Sequence, residues 1–99
     1  MLLGRKSHTA GDTIRYIVDY SDYLEPGVTL TAATVVLDPA FTATVTDITI
    51  SGVGVLDPNH VVFLMAGGSV NENFTLDISV TDSRSEVKND TLGYTIVLR

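Results

Sequence analysis

Residues 74–81 read Phe-Thr-Leu-Asp-Ile-Ser-Val-Thr, an unbroken alternation of apolar and polar side chains. Successive side chains of an extended backbone point to opposite faces, so Phe74, Leu76, Ile78 and Val80 share one side and Thr75, Asp77, Ser79 and Thr81 the other. A helix would scatter both sets around its axis. The chain is therefore committed here to a strand with one buried and one wet face. The last segment repeats the pattern, with Leu92, Tyr94, Ile96 and Leu98 against Thr91, Gly93, Thr95 and Val97. The polar run Asp82-Ser83-Arg84-Ser85 between the two is expected to turn the chain back on itself.

The rest of the sequence supports the same class. Val, Ile and Thr total 32 of the 99 residues, and their branched side chains suit a pleated surface better than a helix. No window keeps an apolar spacing of three and four. Thr13 to Tyr20 alternate, with Ile14, Tyr16, Val18 and Tyr20 facing inward. Ser21 to Gly27 reads as a loop closed by a Pro-Gly turn, with Leu24 anchored beneath it. Val28 to Leu37 changes phase midway: Val28, Leu30 and Ala32 keep one phase, and Ala33, Val35 and Leu37 the other. A β-bulge or a change of sheet produces such a slip. Phe41 to Ile50 reads as an edge or highly exposed strand. Turns are expected at Ser51–Gly54 and Asp57–Asn59, with a short strand between them. His60 to Ala66 is nearly continuously apolar, as in a central strand covered on both sides. Gly67-Gly68-Ser69 ends it. The expected fold is all-β, an immunoglobulin-like antiparallel β-sandwich of six or seven strands spanning residues 11–99. Residues 1–10 lack periodicity and are expected to form a flexible arm.

A chain of this length buries roughly 60–65% of its unfolded surface and can fold without staples. It has no cysteine, which excludes disulfides, thiol catalysis and Cys-based metal sites. Twelve acids against six bases give a net charge of −6, and a grip on phosphates needs clustered Lys and Arg. Nucleic acid is accordingly not an expected partner. The longest apolar run falls well short of 18 residues and Met1-Leu2-Leu3 is too short for a signal peptide core, so no membrane association is expected.

Chemistry-bearing residues are few. His8 and His60 are the only imidazoles, and neither has an acid or nucleophile at a catalytic or metal-ligand spacing. None of the seven serines lies in a Gly-x-Ser-x-Gly elbow. Asp19, Asp22 and Glu25 fall within seven residues but lack the order of a calcium loop. Asp82, Asn89 and Asp90 read as turn residues that satisfy their own backbone. Asn73-Phe74-Thr75 and Asn89-Asp90-Thr91 match the N-glycosylation pattern by chance in a Thr-rich chain. No catalytic residue, metal or cofactor is expected.

The opening segment, together with several later ones, resembles a known family. Lys6, Gly11-Asp12-Thr13, Tyr16 and the run Val-Asp-Tyr-Ser-Asp-Tyr-Leu at 18–24 are similar to the start of small virion proteins of tailed bacteriophages. Gly67-Gly68-Ser69, the strand from Phe74 to Ser83 and the terminal Thr-Leu-Gly-Tyr-Thr-Ile-Val-Leu at 91–98 continue the likeness. The resemblance is to immunoglobulin-like phage proteins of the fibre–tail adaptor type. Where typical members carry a Gly-containing turn, this chain has Ser83-Arg84-Ser85-Glu86. The resemblance implies a non-enzymatic virion structural protein that docks to other tail or head proteins through its surface, with a possible homo-oligomer. A capsid decoration protein and a carbohydrate-binding or adhesin-type module are the alternatives.

A docking protein needs exposed partner-binding residues, and three places offer them. Leu2 and Leu3 with Arg5 and Lys6 could order on binding, leucines in a groove and bases near a partner's acids. Tyr23 is the one tyrosine expected in a loop rather than the core. Thr44 and Thr46 lie on the expected edge strand, whose backbone could accept a partner strand.

Overall fold

A computed structural model describes residues 2–41, 45, 47–57 and 59–98, which form seven strands in two facing sheets. In chain order the strands are β1 (Leu2–Thr9), β2 (Thr13–Asp19), β3 (Leu30–Leu37), β4 (Ile48–Leu56), β5 (His60–Gly67), β6 (Asn73–Asp82) and β7 (Val87–Val97). One sheet has the order β1-β7-β6-β3 and the other β2-β5-β4. No α-helix occurs among the described residues; a single 3-10 turn, Pro39–Phe41, follows β3.

The two most regular sequence segments form the β6–β7 hairpin, in the register Phe74↔Tyr94, Leu76↔Leu92 and Ile78↔Asp90. Phe74, Leu76, Ile78 and Val80 are completely buried, and Leu92, Tyr94 and Ile96 join them from β7. Leu98 departs from the expected pattern. It lies beyond the end of β7 and is 76% exposed, because the strand that would continue its face has already stopped. Across the interior, Val61, Phe63 and Met65 of β5 close the core. Tyr94 sits at its centre, edge-on to Tyr16 at 5.1 Å and stacked on Phe74 at 5.9 Å. Such ring pairs add to the burial energy of the rings themselves.

The phase slip expected in β3 is a register shift between Leu30 and Ala32 against β6. Leu30 before it and Val35 after it both reach the core, which a continuous strand could not achieve from an even and an odd position.

Three expectations need correction. Residues 1–10, expected as a flexible arm, supply β1, which pairs in parallel with β7 from Leu2↔Thr91 to Thr9↔Val97. β7 has a second edge away from β6, and β1 satisfies its backbone groups. The strand was illegible because its inward contributions among the described side chains are chiefly Leu3, packed against the core, and a buried histidine. Second, the strand expected over residues 41–50 begins only at Ile48. The 3-10 turn after Asp38 occupies its start; Val45 is buried, and residues 42–44 and 46 lie outside the described set. Third, Ser51–Gly54 is not a turn but a bulge inside β4, where the register against β5 shifts between Ser51 and Gly54. Gly52 at φ 60° provides the left-handed residue of that bulge. β4 is an edge strand, as expected of this region, but its ladder runs on to Leu56.

β5 is central in its sheet, as expected, yet its two sides differ. Val61, Phe63 and Met65 are fully buried, whereas Val62, Leu64 and Ala66 on the opposite side are only partly covered.

Candidate partner-binding surfaces

The sandwich ends differ in chemistry. At one end the 20–29 loop, the β4–β5 turn and the β6–β7 turn lie together. Tyr20 N–H donates to the Asn59 carbonyl at 2.8 Å, and Ser83 N–H to the Thr29 carbonyl at 2.7 Å. Arg84 fastens two of these segments to each other. Its guanidinium lies 3.1 Å from Asp82 Oδ2, 2.7 Å from Glu86 Oε2 and 3.3 Å from Glu25 Oε2. Half-exposed ion pairs of this kind contribute little to stability; here they hold the loop and the turn in one arrangement.

Asp82 is the anchor of the turn. Its Oδ1 accepts from Arg84 N–H at 2.8 Å and Glu86 N–H at 3.1 Å. Burial pushes this carboxyl up, but the hydrogen bonds from Glu86, then Arg84, outweigh it and hold the group below the usual carboxylate range. Ser85 takes φ 65°, a left-handed conformation that glycine adopts at least cost.

A second buried acid stands beside this turn. Asp90 occupies an inward position of β7 and is 2% exposed. Its Oδ2 accepts from the Tyr20 hydroxyl at 3.1 Å and its Oδ1 from Lys88 Nζ at 2.9 Å. Burial, and then the Asp90 charge, push the Tyr20 hydroxyl well above its ordinary pKa. The same Lys88 ammonium lies 5.2 Å from the ring centre of Tyr23, a cation–π contact. Tyr23 also meets Tyr20 edge-on at 6.2 Å, while remaining 38% exposed. A large aromatic is thereby held upright on a rigid support at the tip of the molecule.

The other sequence-derived candidates are not gathered there. Leu2 opens β1, and Leu3 packs against the core. Arg5 lies across the outer side of β7, its Nη2 donating to the Tyr94 carbonyl at 3.2 Å. This crossing depends on Gly93: a Cβ there would come within 2.7 Å of Arg5 Nη1 and push the guanidinium away. Lys6 is exposed on the edge strand. Thr44 and Thr46 lie outside the described residues. Of the acidic trio, Asp19 accepts from Ser21 N–H at 2.8 Å, which lowers its pKa, and lies 3.5 Å from His60. Glu25 is paired with Arg84. No group of three or more His, Asp or Glu side chains among the described residues is placed to hold a metal ion.

Sequence reasoning missed His8 altogether. Expected on a solvated tail, it is 1% exposed and joins β1 to β2. Its Nε2–H donates to the Asp12 carbonyl at 3.0 Å, since a carbonyl only accepts, and its Nδ1 is hydrogen-bonded to the Tyr16 hydroxyl at 2.7 Å. The alternation that places Tyr16 inward was visible; its partner eight residues earlier was not.

The model of the family described as podophage GP4 fiber-tail adaptor protein gp77 matches residues 8–95. No curated protein matches the chain.

Proposed function

Because the chain belongs to the podophage GP4 fiber-tail adaptor protein family, a family of structural virion components, we propose that it joins other virion proteins through the loop end that carries Tyr23, and that it performs no catalysis. The observation that carries this reading is the preorganised tip: Tyr23 backed by Tyr20 and Lys88, beside a loop and turn clamped by Arg84. Binding energy concentrates on rigid aromatic and arginine side chains, and an anchor fixed beforehand loses little entropy on docking. A shallow recess lined by Leu24, Pro26, Val28 and Asn59 opens in the same loop region and offers a socket for a partner side chain. Lys6 on β1 is a secondary contact for an acidic partner.

The strand order supports an immunoglobulin-like reading. The second, fifth and fourth strands share one sheet, and the third, sixth and seventh share the other. Binding residues are disproportionately found on loops held by a rigid scaffold such as a sandwich. The net charge of −6 argues against nucleic acid as the partner.

The test is binding of the full chain to purified fibre and tail proteins from the same virion. Tyr23→Ala should weaken one of these interactions at least tenfold while leaving the melting temperature unchanged. Unaltered binding by both Tyr23→Ala and Arg84→Ala would remove the loop end from the interface. Binding to capsid subunits alone would favour a decoration role instead.

A further inference from the structure

The outer side of the β2-β5-β4 sheet has an apolar centre that the described residues leave only partly covered. Because Val61, Phe63 and Met65 point into the core, Val62, Leu64 and Ala66 point out. Their neighbours follow from the register: Ile17 beside Val62, Arg15 beside Leu64 and Asp19 beside His60 on β2. On β4, Gly54 lies beside Val62, Ser51 beside Leu64 and Leu56 beside His60. Ile17 is 47% exposed and Leu56 38% exposed. Gly52 and Gly54 carry no side chain, so this part of the face is flat.

Two features identify the occupant. First, the chain carries a net charge of −6, but this face carries one arginine, Arg15, and one acid, Asp19, with His60 3.5 Å from that acid. A cationic partner would find its complement elsewhere on the molecule. Second, Arg15 and Asp19 stand on the same side of β2, two residues to either side of Ile17. A twofold axis lying between two such sheets and running across the strands reverses each strand over itself. It would set Ile17 on Ile17 and Val62 on Val62, and would place Arg15 of each copy against Asp19 of the other. Arg15 makes no hydrogen bond or ion pair with the described residues and is exposed, so it is available for that pairing. A patch that complements itself in this way is what a closed, isologous dimer requires.

We propose that this face is a self-association surface on which two copies of the chain pack sheet to sheet, with Ile17 and Val62 at the centre, Leu64 and Leu56 flanking them, and reciprocal Arg15–Asp19 pairs at the rim. From strand spacing and rise, the face offers roughly 300 Å² of flat sheet per copy. That is less area than a stable specific interface buries, and the dimer is accordingly a weak, concentration-dependent one.

Sedimentation of the full chain over a wide concentration range tests the proposal without any other virion protein, so its failure leaves the adaptor reading untouched. The mass should rise toward that of a dimer. Ile17→Lys should hold the chain monomeric with an unchanged melting temperature. Gly54→Arg should do the same, because a Cβ at Gly54 meets nothing within 4 Å in the chain itself. Arg15→Asp alone and Asp19→Arg alone should each be monomeric, since each places like charges face to face twice. An equimolar mixture of these two should dimerise one to one, because both reciprocal pairs are then restored. Should Asp19→Arg disturb the loop that Asp19 caps at Ser21, Arg15→Asp and Gly54→Arg still decide the matter. A wild-type chain that stays monomeric throughout overturns the proposal. So does association that survives both Ile17→Lys and Gly54→Arg, or a mixture of folded charge variants that remains monomeric.

Discussion

The outer faces of the two sheets are built from the same strand geometry and opposite chemistry. On the four-stranded sheet the outward positions are Thr34 and Val36 of β3, Asp77 and Ser79 of β6, and Asn89 and Thr91 of β7, lining a shallow groove in which most of the side chains are polar. On the three-stranded sheet the outward positions around Val62 are Ile17, Leu64 and Leu56. Both sheets cover the same core with their other faces. The inner faces thus decide whether the chain folds, and the outer faces decide what it meets. A Thr-rich face keeps its hydrogen bonds with water, whereas an apolar one gains by being covered.

The largest expected effect concerns the polar-faced sheet. Removing residues 1–9 takes away β1, and with it the backbone partners of one edge of β7 and the His8 bridge to Tyr16. Because total stability is only about 5–15 kcal/mol, the truncated chain should lose its cooperative thermal transition. A sharp melt within a few degrees of the full chain would show that β1 is dispensable.

Next come the inner faces. Leu76→Ala or Ile78→Ala should each cost about 2–5 kcal/mol in a denaturant titration, since both are completely buried. A cost below about 1 kcal/mol at both would mean that the register of β6 is wrong.

A third test separates the buried tyrosines from everything exposed. Burial raises the pKa of Tyr94, with Tyr16 adding to it, and burial with Asp90 raises that of Tyr20. Both folded values stand above the unfolded one. Their contribution is therefore complete below pH about 10 and is lost as pH climbs through the raised values. The melting temperature should hold through neutral and mildly alkaline pH and fall steeply above about 10. A decline that begins near neutrality would point to other groups.

The smallest effects belong to the outer faces themselves, and they sharpen the contrast most. Ser79→Ala on one sheet and Val62→Thr on the other should each change stability by no more than about 0.5–1 kcal/mol. They should differ in solution behaviour: only Val62→Thr should reduce concentration-dependent association. Equal behaviour of the two variants would erase the distinction between the faces.

Much of the surface chemistry was legible from the residues and much was not. Tyr23 was placed correctly in an exposed loop, but of the residues that hold it Tyr20 was read as core and Lys88 stood out in no pattern. Asp90 looked like a turn residue because its neighbours Asn89 and Lys88 are polar. It is buried since β7 runs inward there and Tyr20 arrives from seventy residues away. The apolar outer face was half visible. The continuous run from Val61 to Ala66 announced a strand with two apolar sides, and the expectation that both were covered held for the second only in part among the described residues.

The sequence by itself determined the class of fold, the inward face of β6, most of those of β2 and β7, and the phase slip within β3. These are local properties. Side chains alternate along an extended backbone, and water sorts them by polarity wherever one face is buried. The parallel docking of β1, the bulge that extends β4 and the burial of His8 and Asp90 were decided by the tertiary structure. So was the full covering of one side of β5 and the partial covering of the other. Each depends on a hydrogen-bond partner or a packing surface supplied by a distant part of the chain, and no local period in the residues records which partner will arrive.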